Sequence, residues 1–319
     1  MSRTLIVVSP RMGAVLPAAA LPALRAAERV VADESVSAEL AEAAGIPAPV
    51  GPVTEWPGDS CALLTSDSDH PLVESADAVV GTPEPDGAAL LDAVAVMDRL
   101  RSPGGCPWDA EQTHVTLLPY LIEEAYELHE AVDDADRAAL REELGDVLLQ
   151  VLFHARVATE GGVAPYPPDA AVFGIDEVAS DLVRKLVERH PHVFGADRAG
   201  SASDLERRWD ELKRVQKGRR SALDGVAHGQ PAVALAAKLV SRAARAGLPE
   251  DLLMNGDGLF NLIARTKLTG ADPEQQLRAA ARAFAASVRT AEQAATAAGL
   301  DPHALTPEDW HRFWPSPSA

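Results

Sequence analysis

The sequence predicts a mainly α-helical protein with a small α/β unit at its N-terminus. Before about residue 85, short β-like runs alternate with helical stretches, as in small α/β domains. From Ala88 onward, apolar residues recur every three to four positions, which is the period of amphipathic helices. Two of these helical patterns, between Leu117 and Ala158, also carry an unusual number of carboxylates. We therefore expect the chemistry of the protein to lie in its helical part.

The N-terminal unit, residues 1–85, contains four runs that predict strands and two stretches that predict helices. The strands are Leu5–Val8, Val30–Ala32, Ala62–Leu64 and Ala78–Val80, and the helices are Ala18–Arg29 and Val36–Ala44. No glycine-rich phosphate-binding pattern follows the first strand, so nothing here indicates a nucleotide. The order of elements is similar to the start of a tetrapyrrole methylase, although the unit is too short to be a complete one. We interpret it as a remnant or a packing domain, with a linker at residues 81–87.

A helix and a rigid turn precede the acidic segment. Five apolar residues at helical spacing predict the helix: Leu90, Leu91, Val94, Met97 and Leu100. The helix should end at residues 102–105, a Ser-Pro-Gly-Gly sequence, and the next four residues, Cys-Pro-Trp-Asp, predict a turn. Within this turn, Trp108 is most simply a packing residue, with contact to a ligand as the alternative. Thr113 is the expected N-cap of the first acidic helix.

The acidic segment predicts two helices joined at Asp133-Asp134, and a connection this short favours an antiparallel hairpin. At 100° per residue, each helix shows one apolar stripe. The stripes are Leu117, Leu121, Ala125 and Leu128 in the first helix, and Leu140, Leu144, Val147, Leu148, Val151 and Leu152 in the second. Glu124 lies beside the first stripe with Glu127 at its edge. Glu143 and Asp146 follow one edge of the second stripe, whereas Glu123 lies further round the first helix.

The hairpin geometry brings these acids together in pairs. With a rise of about 1.5 Å per residue, Glu127 and Glu143 sit at similar heights above the turn, and Glu124 and Asp146 sit one turn higher. Like charges that face one another raise each other's pKa and strain the fold unless a cation lies between them. Oxygen ligands without His or Cys suit Mg²⁺, with Mn²⁺ as a substitute. The alternative is two solvated helix faces with ordinary ion pairs, but solvated acids have no reason to lie against an apolar stripe.

Two pairs of residues downstream of the hairpin have the spacing of ligand contacts. A helix predicted over residues 176–189 carries Lys185 and Arg189 one turn apart, and a helix predicted over residues 202–217 carries Trp209 and Lys213 one turn apart. Cations at this spacing can hold phosphate, and the aromatic ring can stack on a base. Solvated or packed side chains are the alternative for both pairs.

Composition excludes several classes of function. The chain has 319 residues, a net charge of −19 and no stripe of Lys or Arg, so we do not expect it to bind a nucleic-acid polymer. It has no run long enough for a signal peptide or a membrane span. The two cysteines, Cys61 and Cys106, argue for a reducing compartment and against a disulfide framework. We expect a cytoplasmic protein without membrane contact.

Five segments of the chain resemble the MazG-type nucleoside triphosphate pyrophosphohydrolases in order and spacing. They are GCPWDAEQTH, LIEEAYELHEAV, REELGDVLLQVLFHARVA, KLVERHPHVFG and RRWDELK. The resemblance implies an all-α, four-helix type of bundle completed by dimerisation, hence a homodimer. It also implies Mg²⁺-dependent cleavage of nucleoside triphosphates to monophosphates and pyrophosphate, as house-cleaning of non-canonical or damaged nucleotides. The catalytic domain would span residues 88–220.

The family's functional positions carry over to residues of this chain. The resemblance implies that Glu124, Glu127, Glu143 and Asp146 are the metal ligands, the same four acids that helical phase selects. It implies a role for Glu123 as an outer-shell ligand or a base that orients water. Nucleotide contacts fall at Lys185, Arg189, Trp209 and Lys213. The attacked phosphorus, α or β, stays open.

Residues 221–319 resemble a degenerate second MazG-like helical domain. Asp257 can be aligned with Asp146, but Met254 or Leu253 stands where Glu143 would be. No EExxE sequence precedes this segment, and Trp310 and Trp314 take the places of Trp209 and Lys213. We therefore predict one kind of active site per chain.

Two other functions compete with this interpretation. Di-iron oxidases use Glu-x-x-His on two helices, and such strings occur at Glu111–His114 and Glu308–His311, but neither lies in the acidic hairpin. The non-enzymatic alternative is a nucleotide-sensing or scaffold protein on a MazG fold. The intact set of acids in the central domain argues against this second alternative.

Overall fold

The computed structural model describes residues 2–81, 84–195 and 221–315. The chain divides into two compact units, Met1–Glu188 and Arg189–Ala319, each of which is described by itself. The expected helix over residues 202–217, with Trp209 and Lys213, lies outside the described residues. Among the described helices, none has both the length and the apolar character required to cross a bilayer.

The first unit begins with a parallel sheet of four strands, which confirms the four predicted strands. They are β1 (Arg3–Val7), β2 (Arg29–Ala32), β3 (Cys61–Thr65) and β4 (Ala78–Gly81), in the spatial order β2-β3-β1-β4. Two short helices, α1 (Leu21–Ala26) and α2 (Ala38–Ala43), accompany them. The helix predicted over Ala18–Arg29 is shorter than expected because Arg29 pairs with Cys61 in the sheet, and this ladder overrides local helix propensity.

Both faces of the sheet are buried, as is usual for parallel sheets. Successive residues point to opposite faces, so Leu5 and Leu63 enter one cluster while Ile6 and Leu64 enter another. All four side chains are completely inaccessible to solvent. Because both faces are buried, residues that point to either face are apolar, and the strands are therefore continuous apolar runs.

The rest of the first unit is helical, and the predicted hairpin is confirmed. The helices are α3 (Ala89–Arg101), α4 (Pro107–Glu111), α5 (His114–Asp133), α6 (Arg137–Ala158) and α7 (Ile175–Arg189), whose last residue already belongs to the second unit. The core of this part is formed by α3, α5 and α6 through Met97, Leu117, Leu152, Phe153 and Val157.

Specific end motifs define both helices of the hairpin. Thr113 is the N-cap of α5, as predicted, in a capping box with Thr116. At the turn, the Ala135 and Asp136 amides donate to carbonyls of the last turn of α5 in a Schellman pattern. Ala135 takes a positive φ of 55° there. The Asp136 carboxylate then accepts from the Ala138 and Ala139 amides and caps α6.

The predicted apolar stripes are only partly covered within the chain. Leu117 and Leu152 are buried as expected, but Leu144 and Val151 are exposed, because one hairpin with α3 encloses only part of so wide an apolar surface. Further large apolar side chains of α5 and α6 are also exposed, namely Leu118, Tyr120, Ile122, Tyr126 and Leu149.

The described part of the second unit is entirely helical. After α8 (Pro191–Phe194) it contains α9 (Ala232–Arg245), α10 (Glu250–Leu253), α11 (Gly258–Leu268), α12 (Pro273–Ala297) and α13 (Pro307–Phe313). Its core is a small cluster of Val240, Leu253 and Ala264 from α9, α10 and α11.

Candidate metal centre

Three carboxylates of the hairpin converge on one point. Glu124 and Glu127 from α5 and Glu143 from α6 each offer an oxygen, and these oxygens lie within 4.8 Å of one another. Glu124 and Glu143 are half-buried, whereas Glu127 is exposed. The antiparallel hairpin brings Glu143 to the height of Glu127, as its geometry predicted.

Each acid of this cluster makes ionisation of its neighbours less favourable. Burial raises the pKa of Glu124, and the charges of Asp146, Glu127 and Glu143 and a hydrogen bond to Glu127 raise it further. Burial likewise raises the pKa of Glu143, with the charges of Glu127, Asp146 and Glu142 adding to the effect. Asp146 therefore acts electrostatically on both helices of the site.

Among the described residues, no Lys, Arg or His forms an ion pair with the cluster acids Glu124, Glu127 and Glu143 or with Asp146. The nearest described ion pairs along the two helices are at their ends, His129 with Asp133 and Arg156 with Asp98 and Glu160. The cluster is therefore a concentration of negative charge that the described side chains leave uncompensated.

The other sequence-predicted site residues are not part of this cluster. Glu123 is exposed on α5 and is absent from the three-carboxylate group. Lys185 and Arg189 lie one turn apart on α7. Lys185 is exposed and belongs to the first unit, whereas Arg189 is partly buried and belongs to the second. Trp209 and Lys213 are outside the described residues, so all these assignments stay predictions.

One feature of the hairpin was not predicted from the sequence, an aromatic pair formed by Trp108 and Tyr120. Their ring centroids are 5.9 Å apart at an interplanar angle of 80°. Tyr120 precedes Glu127 by seven residues, a spacing that returns to nearly the same helix face. That spacing was the signal available in the sequence.

Comparison with known proteins identifies the family of the chain. The family model described as the MazG nucleotide pyrophosphohydrolase domain matches residues 112–194, and the one described as the MazG N-terminal domain matches residues 3–80. The nucleoside triphosphate pyrophosphohydrolase of Mycolicibacterium smegmatis is 43% identical over 277 residues, which cover 81% of each chain. The chain belongs to the MazG family.

Other relatives of this MazG-family chain span most of its length. The nucleoside triphosphate pyrophosphohydrolase of Mycobacterium tuberculosis is 36% identical over 98% of this chain and 94% of its own. An uncharacterised 26.1 kDa protein of Streptomyces cacaoi is 49% identical over 65% of this chain and 84% of its own. All five acids named from the sequence lie within the matched MazG domain.

The second unit uses its aligned acid differently. The Asp257 carboxylate accepts from the Phe260 amide at 2.7 Å and is the N-cap of α11. Among the described residues, Glu124, Glu127 and Glu143 are the only group of three or more His, Cys, Asp or Glu side chains that converge closely enough to share a metal ion. Asp257 therefore stabilises a helix end in this MazG-family chain, and the degenerate second repeat stays a prediction.

Proposed function

We propose that the protein is a Mg²⁺-dependent nucleoside triphosphate pyrophosphohydrolase that converts (deoxy)nucleoside triphosphates to monophosphates and pyrophosphate. The observation that carries the proposal is the convergence of Glu124, Glu127 and Glu143 without a basic partner among the described residues. The reaction is supported by the names of the relatives from Mycolicibacterium smegmatis and Mycobacterium tuberculosis.

The residues of the cluster fit a hard divalent cation. Every donor is a carboxylate oxygen, which Mg²⁺ and Mn²⁺ accept readily. Two oxygens bound to one Mg²⁺ at about 2.1 Å lie at most about 4.2 Å apart, and the three oxygens here already lie within 4.8 Å of one another. A small rotation of the side chains is sufficient to close the remaining gap. Acids that raise one another's pKa also gain most from a bound cation.

The side chains have separate roles in the reaction. Bound Mg²⁺ supplies positive charge where negative charge develops on the phosphate oxygens. Glu124, Glu127, Glu143 and Asp146 would hold the cation, and Glu123 would orient the attacking water and accept its proton. The water oxygen bonds to the α or β phosphorus while the bridging bond between these two phosphate groups breaks. The products are the nucleoside monophosphate and pyrophosphate.

The remaining family positions complete the substrate site in this proposal. The phosphate charge that the cation does not neutralise is neutralised by Lys185, Arg189 and Lys213. Trp209 contacts the nucleotide. Their support is the match to the family's positions and the spacing of one helical turn within each pair. The physiological role we propose is removal of non-canonical or damaged nucleotides, and its support is the same match to the family.

A homodimer is part of the proposal. The exposed apolar side chains of α5 and α6 form a surface that a second subunit would cover, as exposed apolar patches of this kind often indicate an interface. The two cysteines are free thiols, which suits a protein of the reducing cytoplasm.

The test is pyrophosphate release from canonical and oxidised nucleoside triphosphates with Mg²⁺ or Mn²⁺. Glu143→Gln should abolish release and Mg²⁺ binding, because it removes a ligand and keeps the side-chain volume. Glu42→Gln, at an exposed position of α2 outside the cluster, is the control and should retain activity. Asp257→Asn should also remain active, because Asn is an equally good N-cap.

Each negative result has a distinct meaning. Absence of release from every wild-type reaction would favour the sensor or scaffold alternative. Equal loss in Glu143→Gln and Asp257→Asn would show that the second unit contributes to the site. Retention of Mg²⁺ binding in Glu143→Gln would remove the basis of the proposal.

A further inference from the structure

A cavity of about 680 Å³ lies at one edge of the N-terminal sheet. All four strands are parallel, so their carboxyl ends share this edge. Residues near the ends of β1, β3 and β4 line the cavity, among them Ser9, Arg11, Ser66, Ser68, Val79 and Glu84. Its volume lies within the range of about 300–1,000 Å³ that is typical of small-molecule sites.

The topology of the sheet opens a crevice at this edge. The connection from β1 to β2 packs through Leu24 against the cluster that contains Ile6, and the connection from β3 to β4 packs through Leu72 against the cluster that contains Leu5. These two clusters lie on opposite faces, so the chain leaves the neighbouring strands β1 and β3 in opposite directions. Ligands of open parallel sheets bind at such switch points. The cavity therefore lies where this topology favours a binding site.

An ion pair fixes the charge pattern of the cavity wall. The Arg11 guanidinium pairs with Glu84, and its Nε donates to Asp92 of α3 at 2.8 Å. The Ser9 hydroxyl donates to the same Glu84 carboxylate at 2.5 Å. Among the described residues, no group accepts a hydrogen bond from Nη2 of Arg11, so this donor stays available to a ligand.

This charge pattern selects against simple ions. An anion at Arg11 would lie beside the Glu84 carboxylate, and Asp92, which also contacts Arg11, would add to the repulsion. A simple cation at Glu84 would lie beside the guanidinium. A zwitterion satisfies both charges when its carboxylate meets Arg11 and its ammonium meets Glu84. The sequence after β1 has no glycine-rich phosphate-binding pattern, which also argues against a ligand that carries phosphate.

The rest of the cavity combines hydroxyl groups with apolar surface. Ser66 and Ser68 follow β3, and Ser68 is exposed without a hydrogen-bond partner among the described residues. Val79 of β4 lines the same cavity and is 49% exposed. An apolar group that covered Val79 would remove this surface from water, which is favourable. The hydroxyls can bond to either charged group of a zwitterion.

We propose that this edge of the sheet binds a free α-amino acid with an apolar side chain. The carboxylate of the amino acid accepts from Arg11, and its ammonium donates to Glu84. Its side chain packs against Val79. The inference is independent of the proposed function, because none of these residues belongs to the acidic hairpin.

The experiment titrates the full chain calorimetrically with L-phenylalanine and with L-leucine. Two analogues of phenylalanine each lack one charged group, because 3-phenylpropionate has no ammonium and phenethylamine has no carboxylate. We expect both amino acids to bind. Each analogue should bind about 10- to 150-fold more weakly than L-phenylalanine, the loss that corresponds to one hydrogen bond with a charged group.

Two substitutions test the position of the site. Arg11→Gln removes the positive charge, and Ser68→Asp adds a carboxylate to the cavity wall. Both should weaken binding of L-phenylalanine, and Ser68→Asp carries the test if Arg11→Gln does not fold, because Ser68 is exposed. The matched controls are Arg25→Gln and Thr54→Asp, which make the same charge changes at exposed positions outside the cavity lining. Both controls should bind as the wild type does.

Three results would overturn the inference. The first is a wild-type protein that binds neither amino acid. The second is an analogue that binds as tightly as L-phenylalanine, since a single charge would then be sufficient. The third is wild-type affinity in every site variant that folds, or an equal loss in its matched control, because the amino acid would then bind elsewhere.

Discussion

At the residue scale, the acids of the hairpin show what helical phase can and cannot predict. Phase alone placed Glu124 and Glu143 beside apolar stripes, and burial is indeed the largest cause of their raised pKa values. It could not predict that Trp108 stays half-exposed, since that depends on how far α4 lies over the ends of α5 and α6. A side chain in a turn has no periodicity that fixes its direction.

A pair of histidines at this same end of the hairpin, where α5 begins and α6 ends, was also not predictable from the sequence. His114 and His154 are 40 residues apart, yet their Nδ1 atoms are 2.8 Å apart and their rings are stacked at 12°. Burial lowers the pKa of His114, with a further contribution from Arg101, and burial lowers the pKa of His154, with a further contribution from His114. Tyr166 closes one edge of the pair.

This pair predicts a loss of stability in mild acid. Because both pKa values are lowered in the folded protein, the unfolded chain binds protons first as the pH falls through about 6.5. The stabilisation is present above this pH and is lost as the pH approaches the lowered values. Urea unfolding of the wild type should thus give a smaller free energy at pH 5.5 than at pH 7.5. The difference between the free energies of unfolding at these two pH values should be smaller in His154→Asn.

The control for this prediction is His228→Asn, because His228 is exposed. The free energy of unfolding of this variant should depend on pH as it does in the wild type. If His154→Asn kept the full wild-type dependence, the paired histidines would not be its source.

At the element scale, the turn between α5 and α6 sets the register of the metal centre. Local rules predicted its position, since Asp133 and Asp134 interrupt the apolar pattern. They did not predict that Ala135 would take the left-handed conformation, because a helix more commonly ends with Gly at this site. The amide hydrogen bonds of Ala135 and Asp136 to the last turn of α5 stabilise this conformation.

Ala135→Gly should therefore stabilise the protein by about 1 kcal/mol, since an L-residue with a side chain is strained at positive φ and Gly is not. Thermal or urea unfolding measures the change. Ala139→Gly, inside the first turn of α6, should instead destabilise by about 1 kcal/mol. Destabilisation by both substitutions would show that Ala135 is not strained.

At the scale of the whole molecule, the strands and most helices could be predicted, but the extent of burial could not. A stripe such as that of α6 specifies that a surface will be covered, yet not whether the same chain or a second copy covers it. Leu144 and Val151 belong to this stripe, yet both are exposed in the single chain.

The proposed homodimer is testable through this surface. Sedimentation equilibrium should give about twice the chain mass of 33.6 kDa. Leu118→Arg combined with Leu149→Arg should yield monomers, because both exposed side chains lie on the hairpin and a buried unpaired charge is costly. Val15→Arg, an equally exposed site in the N-terminal unit, should remain dimeric. A wild-type monomer, or a dimer that survives the double substitution, would contradict the proposed interface.

The hairpin also has a consequence for how the chain folds. Its acids come from two helices adjacent in sequence, whereas β1 must find β3 and β4 across long intervening segments. Local contacts form faster than distant ones because less chain entropy is lost in closing the loop. The cluster of Glu124, Glu127 and Glu143 should thus assemble early in folding, before the parallel sheet forms. A cation present at that stage would join two helices whose like charges otherwise slow their approach.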